Sequence, residues 1–206
     1  MSQFFSIHPE NPQPRLIRGA AAIVRGGGVI VYPTDSAYAL GCQMGNKQAI
    51  DRIRAIRQLD EQHHLTLICR DLSELSCYAQ FDNRLFRLLK MHTPGPYTFI
   101  LKATHEVPRR LQHPKRKTIG LRIPDHPIVQ ALLEALDEPM LSATLIVPAI
   151  DTPMVEPHAV RDLLGKRIDL VIDGGSCGIE PTTIIDLAGE APNIIRVGKG
   201  SIEPFK

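Results

Sequence analysis

Short apolar runs, each stopped by a proline, a glycine or a polar pair, alternate along this chain with stretches whose apolar residues fall three or four apart. That alternation limits the fold more than any other feature. The runs are too short to cross a membrane and too numerous for a helical bundle. Residues 29–32 (V-I-V-Y), 65–69, 97–103, 118–123, 140–144, 170–173, 183–187 and 194–197 read as strands. Helical spacing is carried by Leu16, Ile17, Ala20, Ile23 and Val24, stopped at Gly26-Gly27-Gly28. It recurs in Ala49, Ile50, Ile53 and Ile56 behind Asn46, a good N-cap. Further helices are predicted behind the capping box Asp71-x-x-Glu74 and over 82–92, 127–136 and 157–164. Strands interleaved with helices define an α/β protein. Between 97 and 123, and again beyond 170, strands follow one another without a helix, so a mixed sheet is expected rather than a parallel one.

The 206 residues carry no repeat, no low-complexity tract and no linker, which suits a single domain. Pro9, Pro12 and Pro14 make residues 1–13 an extended lead-in. A net charge of +2 is too mild to define a nucleic-acid binder, but the charge is uneven: residues 102–122 hold seven Lys/Arg against Glu106 alone. Cys42, Cys69, Cys77 and Cys177 form no C-x-x-C pair and read as reduced thiols, with Cys42 and Cys69 in buried runs. No leader peptide and no spanning segment is readable, so a soluble, cytoplasmic protein is the expectation, with no membrane partner.

Three familiar patterns fail on inspection. Gly174-Gly175-Ser176-Cys177-Gly178 fits G-x-S-x-G, but Pro181 follows closely and His158, the last histidine, precedes it. Gly198-Lys199-Gly200-Ser201 lacks the Ser/Thr that follows the lysine of a phosphate loop. Adjacent His63 and His64 point about 100° apart on a helix and to opposite faces of a strand, so they do not form one metal site, and no metal ligand set is expected.

Polar residues at strand ends are more informative. Thr34-Asp35 ends the first strand, Thr93-Pro94-Gly95-Pro96-Tyr97-Thr98 enters another, and Arg122, Thr144 and Arg196 lie near the ends of three more. Ligands of open α/β sheets gather beyond strand ends, and arginine suits carboxylates and phosphates. Any one of these residues fits a turn cap or a surface ion pair; together they point to a small-molecule pocket.

P-T-D-S-A-Y-A-L-G-C, T-P-G-P-Y-T-F-I-L, T-I-G-L-R-I-P-D-H-P-I-V and the tail I-D-L-V-I-D-G-G…P-T-T-I-I-D-L…I-I-R-V-G follow one another in this order. In these motifs the chain resembles the YrdC-like family of threonylcarbamoyl-AMP synthases, over residues 14–200, and within it is most similar to the YciO branch. The resemblance implies a twisted mixed sheet flanked by helices, with a large concave face lined by positive charge. It implies an enzyme that joins L-threonine, bicarbonate and ATP into threonylcarbamoyl-AMP for the modification of an adenosine in tRNA, with Mg2+ arriving on the ATP. Carried over by motif, Thr34 and Tyr38 border the threonine pocket and Arg122 holds its carboxylate. Arg57, Thr98, Thr144, Thr183 and Arg196 lie along the ATP side. Asp35 is read as the residue that caps and fixes the turn.

Two stretches depart from the family pattern. Where the family has K-x-R-P-x-x-K-P-L, this chain reads Arg57-Gln58-Leu59-Asp60-Glu61-Gln62-His63-His64-Leu65. Where the family has T-S-A-N-x-S-G, Thr144 is followed by Leu145-Ile146-Val147-Pro148-Ala149. Replacing a charge-assisted hydrogen bond by an aliphatic side chain in this way weakens binding by about 1.5–3 kcal/mol. Three readings stay open. The first is a threonylcarbamoyl-AMP synthase with an altered nucleotide site. The second is a related enzyme acting on the threonylcarbamoyl group or the modified tRNA without ATP. The third is a noncatalytic protein that binds tRNA or double-stranded RNA through Lys115, Arg116 and Lys117, residues that equally suit a solvated turn.

Overall fold

A computed structural model describes residues 2–59, 65–148, 150 and 152–206. Its elements run β1 (Gln3–Ser6), α1 (Pro14–Arg25), β2 (Ile30–Tyr32), β3 (Ala39–Gln43), α2 (Lys47–Arg57) and β4 (Thr66–Ile68). Next come α3 (Leu72–Tyr78), β5 (Ala79–Gln80), α4 (Asn83–His92), β6 (Tyr97–Ala103), β7 (Thr118–Arg122) and α5 (Pro127–Leu136). The chain finishes with β8 (Met140–Thr144), α6 (Pro157–Leu164), β9 (Leu170–Asp173), β10 (Thr183–Asp186) and β11 (Asn193–Arg196).

Local chemistry sets the helix ends. Proline opens α1, where its missing N–H costs no hydrogen bond, and Gly27 at φ +83° turns the chain after it. Asn46 Oδ1 accepts from Ala49 N at 2.9 Å, and Asp71 and Asp82 cap α3 and α4 through Glu74 N and Leu85 N, both at 2.8 Å. Glu74 completes the box one residue early, accepting from Arg70 N at 2.6 Å rather than from the cap residue itself.

All strands join one sheet in the order β1-β9-β2-β3-β8-β4-β7-β6-β10-β11, with β5 beside β6. Parallel pairs (β1 with β9, β2 with β9, β4 with β7, β6 with β10) alternate with antiparallel ones, so the sheet is mixed, as the helix-free stretches predicted. Three strands depart from the sequence reading, the two-residue β5 among them. The lead-in contains β1, whose residues lie in parallel register with β9, Gln3 opposite Leu170. The A-L-G-C-Q run forms β3, antiparallel to both β2 and β8.

Helices cover the two faces unequally, and this creates the cleft. One face packs α2, α3, α4 and α6 over Val31, Leu40, Leu67, Leu101, Leu121, Leu141 and Val171, forming the larger core. The other carries only α1 and α5, packed on Ile30, Tyr32, Ala39, Ile68, Met140 and Ile172. Those two helices stop short of β7, β6 and β10. The same face continues there as Thr66, Gly120 and Ile100 in register, with Thr98 beside Ile184. A sheet face left open to water needs polar or small residues, and this one has them. It forms a concave surface beside α5.

Asn46 fixes the start of the helix that ends in Arg57. Asn46→Ala is expected to cost about 1 kcal/mol. Urea unfolding should show a lower midpoint with an unchanged slope.

Candidate functional site

Pro33 ends β2, and the next four residues fold around the Thr34 hydroxyl. Thr34 Oγ1 donates to Ala37 O at 2.6 Å and accepts from Ser36 N at 3.1 Å and Ala37 N at 3.2 Å. Thr34 is therefore the residue that fixes this turn. Asp35, read from sequence as the cap, instead reaches across the sheet to Arg122, the last residue of β7. The correction has a simple cause: a hydroxyl both donates and accepts, whereas a buried carboxylate needs a cation. Only 8 % of the Arg122 side chain and 11 % of the Asp35 side chain is accessible. Arg122 Nη2 also faces Ser36 Oγ at 3.1 Å and Thr34 Oγ1 at 3.4 Å. Arg122 Nε and Asp35 Oδ2 are buried with no partner among the described residues, which leaves the pair half satisfied there. Lys199 Nζ donates to the Asp35 carbonyl and ties the tail to the turn.

Beside this pair lies a cavity of about 180 Å³, into which three guanidinium groups converge: Arg57 from the end of α2, Arg122 from β7 and Arg196 from β11. Arg57 and Arg196 are positioned by backbone, Arg122 by the side chains named above. Arg57 Nη1 donates to Ile146 O at 2.8 Å, while Arg196 donates to Thr182 O from Nε at 3.1 Å and from Nη2 at 2.8 Å. Burial lowers the pKa of both, with like charge adding to it: Arg196 acts on Arg57, and Arg122 on Arg196. Guanidinium stays protonated regardless, so the cleft keeps its positive charge and favours a carboxylate or phosphate. Hydroxyls of Ser36, Thr66, Thr98, Ser142, Thr144 and Thr182 complete the wall.

Of the residues assigned from sequence, Arg57, Thr98, Arg122, Thr144 and Arg196 meet on this wall. Thr34 stands just behind it. Thr183 does not face the cleft: its hydroxyl donates to Gly200 O at 2.6 Å and accepts from Gly198 N at 3.0 Å. Its neighbour Thr182 takes the wall position, because successive strand residues point to opposite faces. Tyr38 lies wholly buried under the 174–175 loop, donating to Gly175 O at 2.7 Å and accepting from Gly174 N at 3.3 Å. Burial above all raises its pKa, so it is a neutral anchor rather than a pocket lip. Lys115, Arg116 and Lys117 sit at the exposed turn between β6 and β7, where Arg116 pairs with Asp186 at 2.6 Å. Ser36, Thr66, Ser142 and Thr182 were missed. For Ser142, strand phase counted from Thr144 was the available signal; Thr66 looked like ordinary β-propensity.

Ser176 is exposed in a loop with no helix after it, so no nucleophile elbow forms. The Gly198 and Lys199 amides are spent on Thr183 Oγ1 and Pro181 O, so these two do not face outward as a phosphate cradle. No group of three His, Cys, Asp or Glu among the described residues could hold a metal. His63, His64, Asp60 and Glu61 lie outside the described residues, as does Ala149. Leu59 packs part-buried against the core, and Leu145 and Val147 are buried.

A mixed sheet with an arginine- and hydroxyl-lined cleft on its uncovered half defines an α/β protein with a cationic hollow on one sheet face. More narrowly, it belongs to the Sua5/YciO/YrdC family, whose model, described as "Telomere recombination", matches residues 22–198. The YciO protein of Escherichia coli (strain K12) is 59% identical over the full length of both chains, and its crystal structure superposes with a TM-score of 0.96. A threonylcarbamoyl-AMP synthase of Halorhodospira halophila is 33% identical over 86% of this chain and 93% of the relative. P. abyssi Sua5 complexed with L-threonine matches at 25% identity with a TM-score of 0.90, over 98% of this chain and 59% of the longer one.

Asp35→Ala leaves the Arg122 charge buried and is expected to destabilise the fold by roughly 3–5 kcal/mol. A large fall in Tm, smaller for Asp35→Asn, is the check. Burial pushes the half-buried Cys177 thiol up to about 11, against partial relief from Thr34 N and Lys199. Thiolate is the reactive form. Iodoacetamide should therefore label exposed Cys77 at pH 8 while Cys177 reacts only as the pH approaches 11, read by mass spectrometry.

Proposed function

We propose that this protein handles the threonylcarbamoyl group in the chemistry that modifies an adenosine of tRNA. The observation that carries this reading is the convergence of Arg57, Arg122 and Arg196 on one hydroxyl-lined cleft. Threonine, or a threonylcarbamoyl group, would set its carboxylate against Arg122, whose Nε has no partner among the described residues. Phosphate oxygens would take the other two guanidinium groups. In the synthase direction, threonine and bicarbonate combine with loss of water to N-carboxythreonine. Its carboxylate oxygen then attacks the α-phosphorus of ATP, and pyrophosphate leaves. Preorganised cations stabilise the charge that develops on the phosphoryl oxygens. Mg2+ would travel with the triphosphate, which usually carries it with only one or two protein carboxylates.

A second reading has its own support. Leu145 and Val147 are buried where the family pattern places polar residues, Leu145 N donates to Tyr38 O at 2.8 Å, and Ile146 O already holds Arg57. A wall built this way offers a triphosphate fewer donors. It favours action on a threonylcarbamoyl group already attached to a nucleoside, without ATP. A cytoplasmic site of action and a tRNA or double-stranded RNA partner belong to this same reading. No helix is long and apolar enough to cross a membrane, among the described residues.

Two assays separate the directions. A synthase releases pyrophosphate from ATP only when L-threonine and bicarbonate are both present. An enzyme of the second kind changes the nucleoside profile of modified tRNA with no ATP added. In either case Arg122→Gln should lower kcat/KM at least about a hundredfold, the scale of one charge-assisted hydrogen bond at a reacting group. Silence in both assays, with no L-threonine binding by calorimetry, would sink the proposal.

A further inference from the structure

The helices on the face opposite the cleft leave a groove of their own. Helix α4 buries only Leu89 completely, and Leu85 and Leu88 pack part-buried against the core. Arg84, Leu88 and Met91 recur at i, i+4 and i+7, with Arg87 alongside, and line an open hollow of about 620 Å³. Met91 is 70 % exposed there. The rest of the wall is Ala191 and Pro192, from the turn between β10 and β11, with Pro204 and Lys206 from the last turn of the chain. Phe205 lines the hollow from below. It is only 4 % exposed, and its ring centre lies 5.0 Å from that of His92, 5.6 Å from Tyr97 and 6.0 Å from Phe99. Through Arg84, Leu88, Ala191 and Pro192 the hollow continues into a smaller one of about 110 Å³. It shares no lining residue with the arginine cleft.

The charge around this groove is one-sided. Arg84, Arg87 and Lys90 are the charged residues of α4 that face no acid of their own helix, because the helix has none. None of the three has an ion-pair partner among the described residues. Asp82 and Glu190 line the smaller hollow, yet Asp82 caps Leu85 N at 2.8 Å and neither pairs with Arg84. Arg84 also stands in the first turn of α4, where the helix dipole favours an anion. A carboxylate brought beside it would meet both a guanidinium group and a positive helix end. We propose that this groove docks an amphipathic helix of a partner protein, its aliphatic side chains on Leu88, Met91 and Phe205 and its Asp or Glu residues beside Arg84 and Arg87. The stripe from Arg84 to Met91 covers about two helical turns, roughly 10 Å, which one short helix laid along α4 matches. Pro192 and Pro204 hold the walls in place, so docking sacrifices little conformational freedom. A flat lipid surface does not reach the recessed Phe205 ring. A small ligand would need polar groups converging on the floor, and here they stand on the rim.

The probe is a fluorescein-labelled synthetic helix of about four turns, with leucines at i, i+4 and i+7 and glutamates flanking them. A twin peptide carries lysine at every glutamate. Anisotropy should show saturable binding of the acidic peptide and none of its twin. Amide resonances of the protein should shift in α4 and in residues 188–192 and 203–206. Met91→Glu should weaken binding at least about tenfold. Arg84→Glu/Arg87→Glu should lose the acidic peptide and take up the lysine twin. All three side chains are exposed, so an unchanged Tm shows that each variant is folded. Absence of saturable binding by the acidic peptide, or binding that ignores both variants, overturns the inference. Two further results would do the same. Phosphatidylglycerol vesicles that bind the wild type and not Met91→Glu would assign the groove to a lipid surface. A dimer in sedimentation that Met91→Glu dissolves would assign it to a second copy of this chain.

Discussion

A guanidinium group held almost out of water, halfway across a sheet, governs how this protein is built. Arg122 survives burial because Asp35, Ser36 and Thr34 gather their oxygens around one of its nitrogens. For that to happen the chain after β2 must turn tightly, and the Thr34 hydroxyl makes the turn by bonding the backbone of residues 36 and 37. The tail follows, since Lys199 is drawn to the Asp35 carbonyl. Distant stretches of chain are brought into one neighbourhood by the need to satisfy a single charge.

The cleft itself arises from an omission. Two helices cover the half of the sheet around β2 and β9 and none covers the same face over β7, β6 and β10. Leaving a sheet face open is tolerable only if its side chains suit water, and Thr98, Thr118 and Gly120 in these strands meet that requirement. The same residues then become the wall of a binding site. Architecture and site chemistry are two results of one distribution of apolar residues.

Much of this was legible in the sequence, for identifiable reasons. Abrupt ends of apolar runs marked β2, β6, β7 and β8, and the caps at Asn46 and Asp71 marked helix starts, because those signals are local. β3 was illegible because A-L-G-C-Q is buried throughout apart from its last residue and shows no alternation. β1 was hidden because its partner β9 lies far along the chain, Gln3 facing Leu170. On the cleft wall, the positions of Arg122 and Arg196 were readable because they lie near strand ends, whereas Arg57, at the end of α2, came only through the resemblance. Thr182 was misassigned to Thr183 because phase within a strand needs a partner strand to fix it. The exchange of roles between Thr34 and Asp35 needed Arg122, which lies 87 residues from Asp35.

The bond from Arg57 to Ile146 O gives the cleft a particular thermodynamic character. A ligand oxygen that takes that nitrogen does not simply add a hydrogen bond; it displaces a carbonyl that must then find another donor. The net benefit is the difference between two similar hydrogen bonds, well below that of a new one. On this side of the cleft, then, selectivity comes from exchange: a strongly charged oxygen can outcompete the carbonyl, and a weakly polar one cannot.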